Sequence, residues 1–210
     1  MDFSIIIPAH NAELTIEKTL QSVYSQSFQG FECIVIADAC TDKTAEIARS
    51  FGATVIEANL QSECLGRNLG IDRSSGRFLL FLDADDWLLH EFCLEQIFKR
   101  WQSHTEHYDI IAFDMVWKHI GVVHPISGRD GQLFPHCTNK CWRREFISDM
   151  RFPNVKPDGD ASFHEIIMQA NPKIDIWDMP IYYYNFLRDG SYSSSLHRSA
   201  IGTKQFWGIK

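Results

Sequence analysis

Residues 78 to 87 read FLLFLDADDW, five apolar side chains followed by Asp83, Asp85 and Asp86 with only Ala84 between the first two acids. Carboxylates this close repel and raise one another's pKa, so their clustering calls for a cation or a shared proton. A solvated acidic turn that caps a helix is the plainer alternative. A second acid, Asp38, ends the apolar run FECIVIAD. A third region, RFPNVKPDGDASFHEII, offers Asp158 and Asp160 just before a helical pattern. An Asp there is a good N-cap and also points a carboxylate outward. His136, Cys137 and Cys141 in HCTNKC are the one group with metal-ligand types close together. Structural zinc wants four ligands in paired spacing, and no second pair is evident, so packing thiols at a loop-to-helix junction are the better reading. Neither GxGxxG after the first strand, nor GxxxxGK[ST], nor GxSxG occurs, so dinucleotide, P-loop and serine-hydrolase chemistry lack their fingerprints.

The elements that must carry these acids alternate. FSIIIPA reads as a strand ended by Pro8, residues 13 to 26 as a helix, FECIVIAD as a strand and TDKTAEIARSFG as a helix capped by Thr41 or Asp42 and closed by Gly52. ATVIEA is a third strand, Glu63 to Arg73 a helix and RFLLFLD a fourth strand. Strands alternating with helices imply βαβ units and a mostly parallel sheet covered on both faces, with ligands at the carboxyl ends of the strands. Asp38 and Asp83 to Asp86 fall at such ends. Beyond them, a helix is expected from His90 to Gln102, strands at DIIAFDMVW and GVVHPI with Gly121 in the turn, and a helix at TNKCWRREFISDM. A further helix, DASFHEIIMQA, places Phe163, Ile166, Ile167 and Ala170 on one face, and PIYYYNFL returns as a strand whose tyrosines mostly pack. No repeat and no Pro-, Gly- or Ser-rich linker separates the halves, so the expectation is a single domain over residues 1–210.

Composition agrees with a globular α/β chain of 210 residues, 45% hydrophobic and 22% charged. A net charge of −7 disfavours gripping nucleic acid by its backbone. No stretch approaches the roughly 20 apolar residues of a membrane span. The start, MDFSIIIPAHNAE, has no basic region or cleavage site of a secretory signal, and the six cysteines show no framework spacing. The expectation is a cytoplasmic protein with reduced thiols, with peripheral attachment to a membrane left open.

Five blocks in order, SIIIPAHNAELTIEKTLQSVYSQSF, IVIADACTDKTAEIA, GRNLGIDRSSGRFLLFLDADDW, NKCWRREF and PIYYYNFLRDGSYSSS, resemble the successive blocks of the GT-A glycosyltransferases of family 2. The resemblance runs from Ser4 to about Ser195. It implies a GT-A fold whose residues 1 to about 88 bind the nucleotide-sugar and whose remainder binds the acceptor. It also implies an inverting transfer from a sugar nucleotide, a UDP-sugar in the familiar cases, to an acceptor hydroxyl on a glycan or glycolipid. The acidic triplet matches the family's DXD, with Asp85 as main ligand of Mn2+ or Mg2+ and Asp83 toward the ribose or the metal's waters, Ala84 between them. Asp38 stands where the family contacts the base, although Ala37 and Cys40 depart from the usual DDGSTD. Pro8, Ala9, His10 and Glu13 would border base and ribose, with Asn11 bracing the loop. Arg67 would meet ribose or phosphate, or else pair with the nearby acids. The family's catalytic base comes from a Glu-Asp pair that opens a helix; here Gly159-Asp160 occupies it, which makes Asp160 the base, Asp158 a substitute and Asp86 the next candidate. Arg188 and the serines of RDGSYSSS resemble the family's C-terminal segment, which can fold over the diphosphate, so the resemblance implies a phosphate contact at Arg188, with His197 and Arg198 as candidate additions.

Other classes remain in view. A sugar-1-phosphate nucleotidyltransferase would need a glycine-rich N-terminal loop with a basic residue, and IIIPAHNAE has neither. A non-catalytic sugar-nucleotide binder is kept alive by Gly159, and a modified DNA base as acceptor is permitted by compactness but disfavoured by charge.

Overall fold

Two β-branched and aromatic runs buried on both faces make the centre of the sheet. In the computed structural model, which describes residues 1–117, 122–124, 133–155 and 159–185, strands β1 (Phe3–Ala9) and β4 (Phe78–Phe81) are buried throughout. They pair in parallel, Phe3 opposite Phe78 and Ile6 opposite Phe81. Strand β2 (Phe31–Asp38) pairs with the other edge of β1, and β3 (Thr54–Ala58) with β2, both in parallel. Such side-by-side parallel strands need helical crossovers, supplied by α1 (Ile16–Tyr24), α2 (Thr44–Ser50) and α3 (Glu63–Arg73).

The second half extends the same sheet. It contains β5 (Trp87–Leu88), α4 (Cys93–Ser103), β6 (Ile110–Trp117), β7 (Val122–His124), β8 (Lys140–Arg143), α5 (Gly159–Gln169) and β9 (Ile174–Tyr184). The order across the sheet is β3-β2-β1-β4-β8-β6-β9-β5, with β7 on β6. Strands β1 to β4, β6 and β9 run one way, while β5, β7 and β8 run the other. The result is a single α/β domain around a mostly parallel sheet. One face carries a core of Ile5, Leu20, Val35, Leu80 and Ile97 under α1 and α4; the other carries Ile6, Ile71, Leu79, Trp142 and Phe163 under α3 and α5.

Helix α3 sits unusually close to the sheet, and its glycines are the cause. A Cβ on Gly70 would lie 2.2 Å from Cγ2 of Ile6, and one on Gly66 would lie 3.3 Å from Cβ of Pro8. That close seat lets Arg67 project beneath the strand ends.

Three expectations need correction. Residues 138–150 do not form a helix: Lys140–Arg143 is strand β8, inserted antiparallel between β4 and β6, and turns follow it. Cys141 faces one core and Trp142 the other, a period of two that helical counting could not see in so short a run. On α5 only Phe163 and Ile167 of the expected apolar face are buried; Ile166 is 38% exposed, and Ala170 is exposed beyond the helix end. Helix α1 begins at Ile16, later than expected, because residues 13–15 form a turn against the carbonyl of Ala12. Neither expected cap stands at the N-cap of α2, which is Lys43; Asp42, one residue earlier, accepts the Thr44 N–H through Oδ1 at 3.0 Å. Gly52 closes the helix with φ of +86°. Among the described residues no helix is long and apolar enough to cross a membrane.

Candidate active site

The acidic turn follows β4 directly, and its three carboxylates have different surroundings. Asp86 is 1% exposed and points inward, where its Oδ2 accepts the Tyr182 hydroxyl at 2.5 Å and its Oδ1 accepts the Asn185 N–H at 2.8 Å. Burial, then the charges of Asp83 and Asp85, push its pKa well above the usual carboxylate range. Asp86 is therefore an internal brace of the turn. Asp83 and Asp85 lie at the partly exposed rim. The Asp83 N–H donates to the same Tyr182 oxygen at 3.3 Å, so β9 holds the turn from both ends. Burial raises Asp83 to about 7, with Arg67 pulling the other way.

Arg67 is the hub of the site. Its side chain is 4% exposed, and Nη2 donates to Glu63 and to Asp83 at 2.9 Å while Nη1 donates to Asp160 at 3.0 Å. The arginine thus pairs with the nearby acids, the second of the two expected roles. Its guanidinium lies over Phe152, 5.5 Å from the ring centroid, and that ring stacks on Phe163 at 3.8 Å. Asn68 clamps the same residue through its amide, donating to the Phe152 carbonyl at 2.9 Å and accepting its N–H at 2.8 Å. The GRN and RFP segments are therefore one packed unit.

Asp160 sits in the first turn of α5, the residue after Gly159. Its Oδ1 accepts from Arg67 and its Oδ2 accepts the Cys137 N–H at 3.2 Å, so its two oxygens are anchored to α3 and to a backbone from another segment. Burial alone would raise its pKa, but Arg67 and the Cys137 N–H hold it below the usual value. The missing Glu of the expected pair has a steric counterpart: a Cβ at Gly159 would lie 2.2 Å from Sγ of Cys64 on α3. Segment 133–137 is fixed in turn by the buried Lys140, whose ammonium donates to the carbonyls of Phe134 (2.8 Å) and His136 (2.5 Å) and to Oδ1 of Asn139 (2.9 Å). Burial lowers its pKa to about 8.

On the other side, loops after β1 and β2 are knitted together. His10 is exposed and its Nδ1 meets the Asp38 carbonyl at 2.7 Å. Asn11 Oδ1 accepts the Thr41 N–H at 2.9 Å, the bracing role expected of it, and Glu13 Oε2 accepts the Lys43 N–H at 3.2 Å. Pro8 and Ala9 are buried at the end of β1, and Ala84 is buried in the acidic turn. Asp38 is 5% exposed and holds the loop that enters α3: Oδ1 accepts the N–H groups of Leu60 (2.5 Å) and Gln61 (3.0 Å), and Oδ2 accepts that of Ser62 (2.9 Å). Asp158, Arg188, His197, Arg198 and most of the loop from His119 to His136 lie outside the described residues.

Among the described residues no three His, Cys, Asp or Glu side chains converge as a ready-made metal site, either at His136, Cys137 and Cys141 or at the acidic turn. Cys137 and Cys141 are buried free thiols. Two rim carboxylates, one with a raised pKa, do fit a hard cation whose remaining ligands arrive with a diphosphate. Two contributors escaped sequence reading. Glu63 carries the helical i, i+4 signal to Arg67 and was legible; Tyr182 is one of three consecutive tyrosines, and nothing local marks which of them meets the acids.

Comparison with known proteins agrees with this geometry. The sequence model of Glycosyl transferase family 2 matches residues 4–149. An uncharacterized glycosyltransferase of Haemophilus influenzae is 29% identical over 95% of this chain and 85% of its own length. The minor teichoic acid biosynthesis protein GgaB of Bacillus subtilis is 24% identical over 90% of this chain, which spans only 23% of that protein. Among solved structures, S. aureus TarS 1-349 in complex with UDP-GlcNAc superposes with a TM-score of 0.79 at 25% identity, covering 93% of this chain and 61% of that one. A mannosyltransferase of Pyrobaculum calidifontis in complex with GDP-Man and Mn2+ shares the fold, with a TM-score of 0.75 at 16% identity over 94% of this chain and 60% of that one. An acidic turn at the end of β4, a parallel sheet that leads to it and a family match over most of the length converge: the chain belongs to glycosyl transferase family 2 and has the GT-A fold.

Proposed function

We propose that this glycosyltransferase moves a sugar, with inversion, from a UDP-sugar to a hydroxyl of a glycan or glycolipid, with Asp160 as general base and Asp85, assisted by Asp83, holding Mn2+ or Mg2+. The observation that carries the reading is the tie from Asp160 through Arg67 to Asp83, which brings an ionised carboxylate from the second half beside the acidic turn of the first. The TarS complexes with UDP and UDP-GlcNAc support the choice of nucleotide, and the Mn2+ in the archaeal complex supports the cation. Bound at Asp85 and Asp83, the cation would neutralise charge that develops on the leaving diphosphate.

The chain's own residues supply the rest. Asp160 is ionised at neutral pH because Arg67 and the Cys137 N–H outweigh its burial, so it can accept the acceptor hydroxyl's proton. A depressed pKa makes it a weak base, suited to taking the proton only as the new C–O bond forms. His10, Pro8, Ala9 and Glu13 would frame the base. Asp38 retains a lone pair on Oδ2 beyond the one given to Ser62, and that oxygen is the acceptor we assign to uracil N3–H.

Calorimetry with UDP tests the cation site. Affinity should fall at least tenfold on chelation with EDTA and on Asp85→Ala, and the two losses should not add. Equal affinity in all four conditions would overturn the metal assignment. For the base, Asp160→Asn should keep UDP affinity within a few-fold while turnover falls by roughly 10²–10⁴, the usual scale for removal of a general base.

A further inference from the structure

We propose that Arg67 is a positioning residue: its guanidinium binds the first acid of the turn and the general base into one unit and thereby sets where Asp160 meets the acceptor hydroxyl. The inference rests on the base assignment above and goes beyond it by naming what aims the base.

Its warrant is geometric. Two terminal nitrogens of one planar group are each aimed at a carboxylate from a different half of the chain, Nη2 at Asp83 Oδ1 and Nη1 at Asp160 Oδ1. A planar fork fixes both distance and orientation between its partners, which a lysine ammonium cannot. The fork itself cannot drift. It is buried, it rests on Phe152, and α3 is pressed onto β1 at Gly66 and Gly70. Glu63, 57% exposed, holds Nη2 from the solvent side. Without the guanidinium between them, Asp83 and Asp160 would face one another as like charges at a partly exposed site, and the base would turn away toward water. The second oxygen of Asp160 is pinned by the Cys137 N–H, so a single rotation of Arg67 would strain both contacts.

A double-mutant comparison on the full chain tests this, with UDP release from the UDP-sugar that the wild type turns over fastest and the Kd of UDP in Mn2+ as readouts. Arg67→Lys should lower kcat at least tenfold while the Kd of UDP stays within about threefold. In an Asp160→Asn background the same change should cost less than about threefold, because the base it aims is already lost. Glu63→Gln, made at an exposed side chain that leaves the buried charge in place, should lower kcat severalfold with Kd unchanged. Wild-type kcat in Arg67→Lys and Glu63→Gln would overturn the inference. So would a loss expressed in Kd, which would make Arg67 a diphosphate contact, or an equal loss in both backgrounds, which would signal general damage. Full activity of Asp160→Asn would instead sink the base assignment, a separate failure.

Discussion

Gly159→Ala should destabilise the protein, although alanine is the better helix former. The added Cβ would stand 2.2 Å from Sγ of Cys64, far inside contact distance. Three things could give. Cys64 is 7% exposed in a packed core, so its sulfur has little room to swing. Helix α3 cannot retreat, since it lies directly on β1 and is capped by Ser62, whose hydroxyl accepts the Leu65 N–H at 3.4 Å. That leaves α5, which carries Asp160. Overpacking of this kind costs about 1–3 kcal/mol, against about 0.5–1 kcal/mol gained by replacing glycine in a helix.

The net is a loss of up to about 2.5 kcal/mol by those two ranges, and its sign should depend on one atom. In a Cys64→Ala background the obstruction is gone, and Gly159→Ala should then stabilise by up to about 0.5–1 kcal/mol. Urea unfolding followed by tryptophan fluorescence measures all four proteins, provided the slope with denaturant is unchanged among them. Gly159→Ala that stabilises equally in both backgrounds would refute the reasoning. The same logic forecasts that Gly159→Glu, which restores the family's usual acid pair, fails to gain activity unless Cys64 is first made smaller.

Tyr182→Phe removes the hydroxyl shared by Asp86 and the Asp83 N–H, and should cost about 1–3 kcal/mol for the buried groups left unpaired; a tenfold or greater loss of Mn2+-dependent UDP affinity in calorimetry should accompany it, and unchanged affinity would show that the brace is irrelevant to the turn. Asp175 accepts two hydrogen bonds from Arg100, at 2.6 and 2.7 Å, and meets His104 at 2.8 Å. Burial would raise its pKa, but these partners hold it below the usual value. Its contribution to stability is therefore complete above about pH 4 and fades as pH falls through the depressed folded value. Asp175→Asn should lose about 1–3 kcal/mol at pH 6 and markedly less near pH 2, read by urea titration at both.

The strands and crossovers of the first half were legible because each is an apolar or periodic run with clear punctuation: β1, β2 and α3 fall where the apolar runs, Asp38 and the Glu63 to Arg73 pattern put them. Strand β8 was not. Its four residues are too few to show a period, and a flanking run of charged residues imitates a helix; only the gap between β4 and β6 makes it a strand. The acids of the site could be picked out by type and spacing, but their division of labour could not. Asp83, Asp85 and Asp86 are equivalent in sequence, and burial against Tyr182 alone makes Asp86 internal. Arg67 read as a phosphate contact or an ion-pair partner, because the choice depends on Asp160, 93 residues away.

Several contacts that complete the site cross between the two halves, and they help a crowded set of carboxylates to be tolerated here. Tyr182 and Asn185 come from the far strand to satisfy Asp86, Arg67 reaches from α3 to Asp160, and the Ser62 hydroxyl donates to Asn154 Oδ1 at 2.7 Å. Ser62 is also the residue that Asp38 holds by its N–H, so the acid at the end of β2 and the arginine of α3 are joined through one short loop and one helix. A buried carboxylate is stable only where donors are fixed around it. With donors supplied from both halves of the chain, repulsion among the acids is not relieved by local loosening of the turn alone. It can be relieved by protonation, as the raised pKa values of Asp83 and Asp86 show, or by an arriving cation.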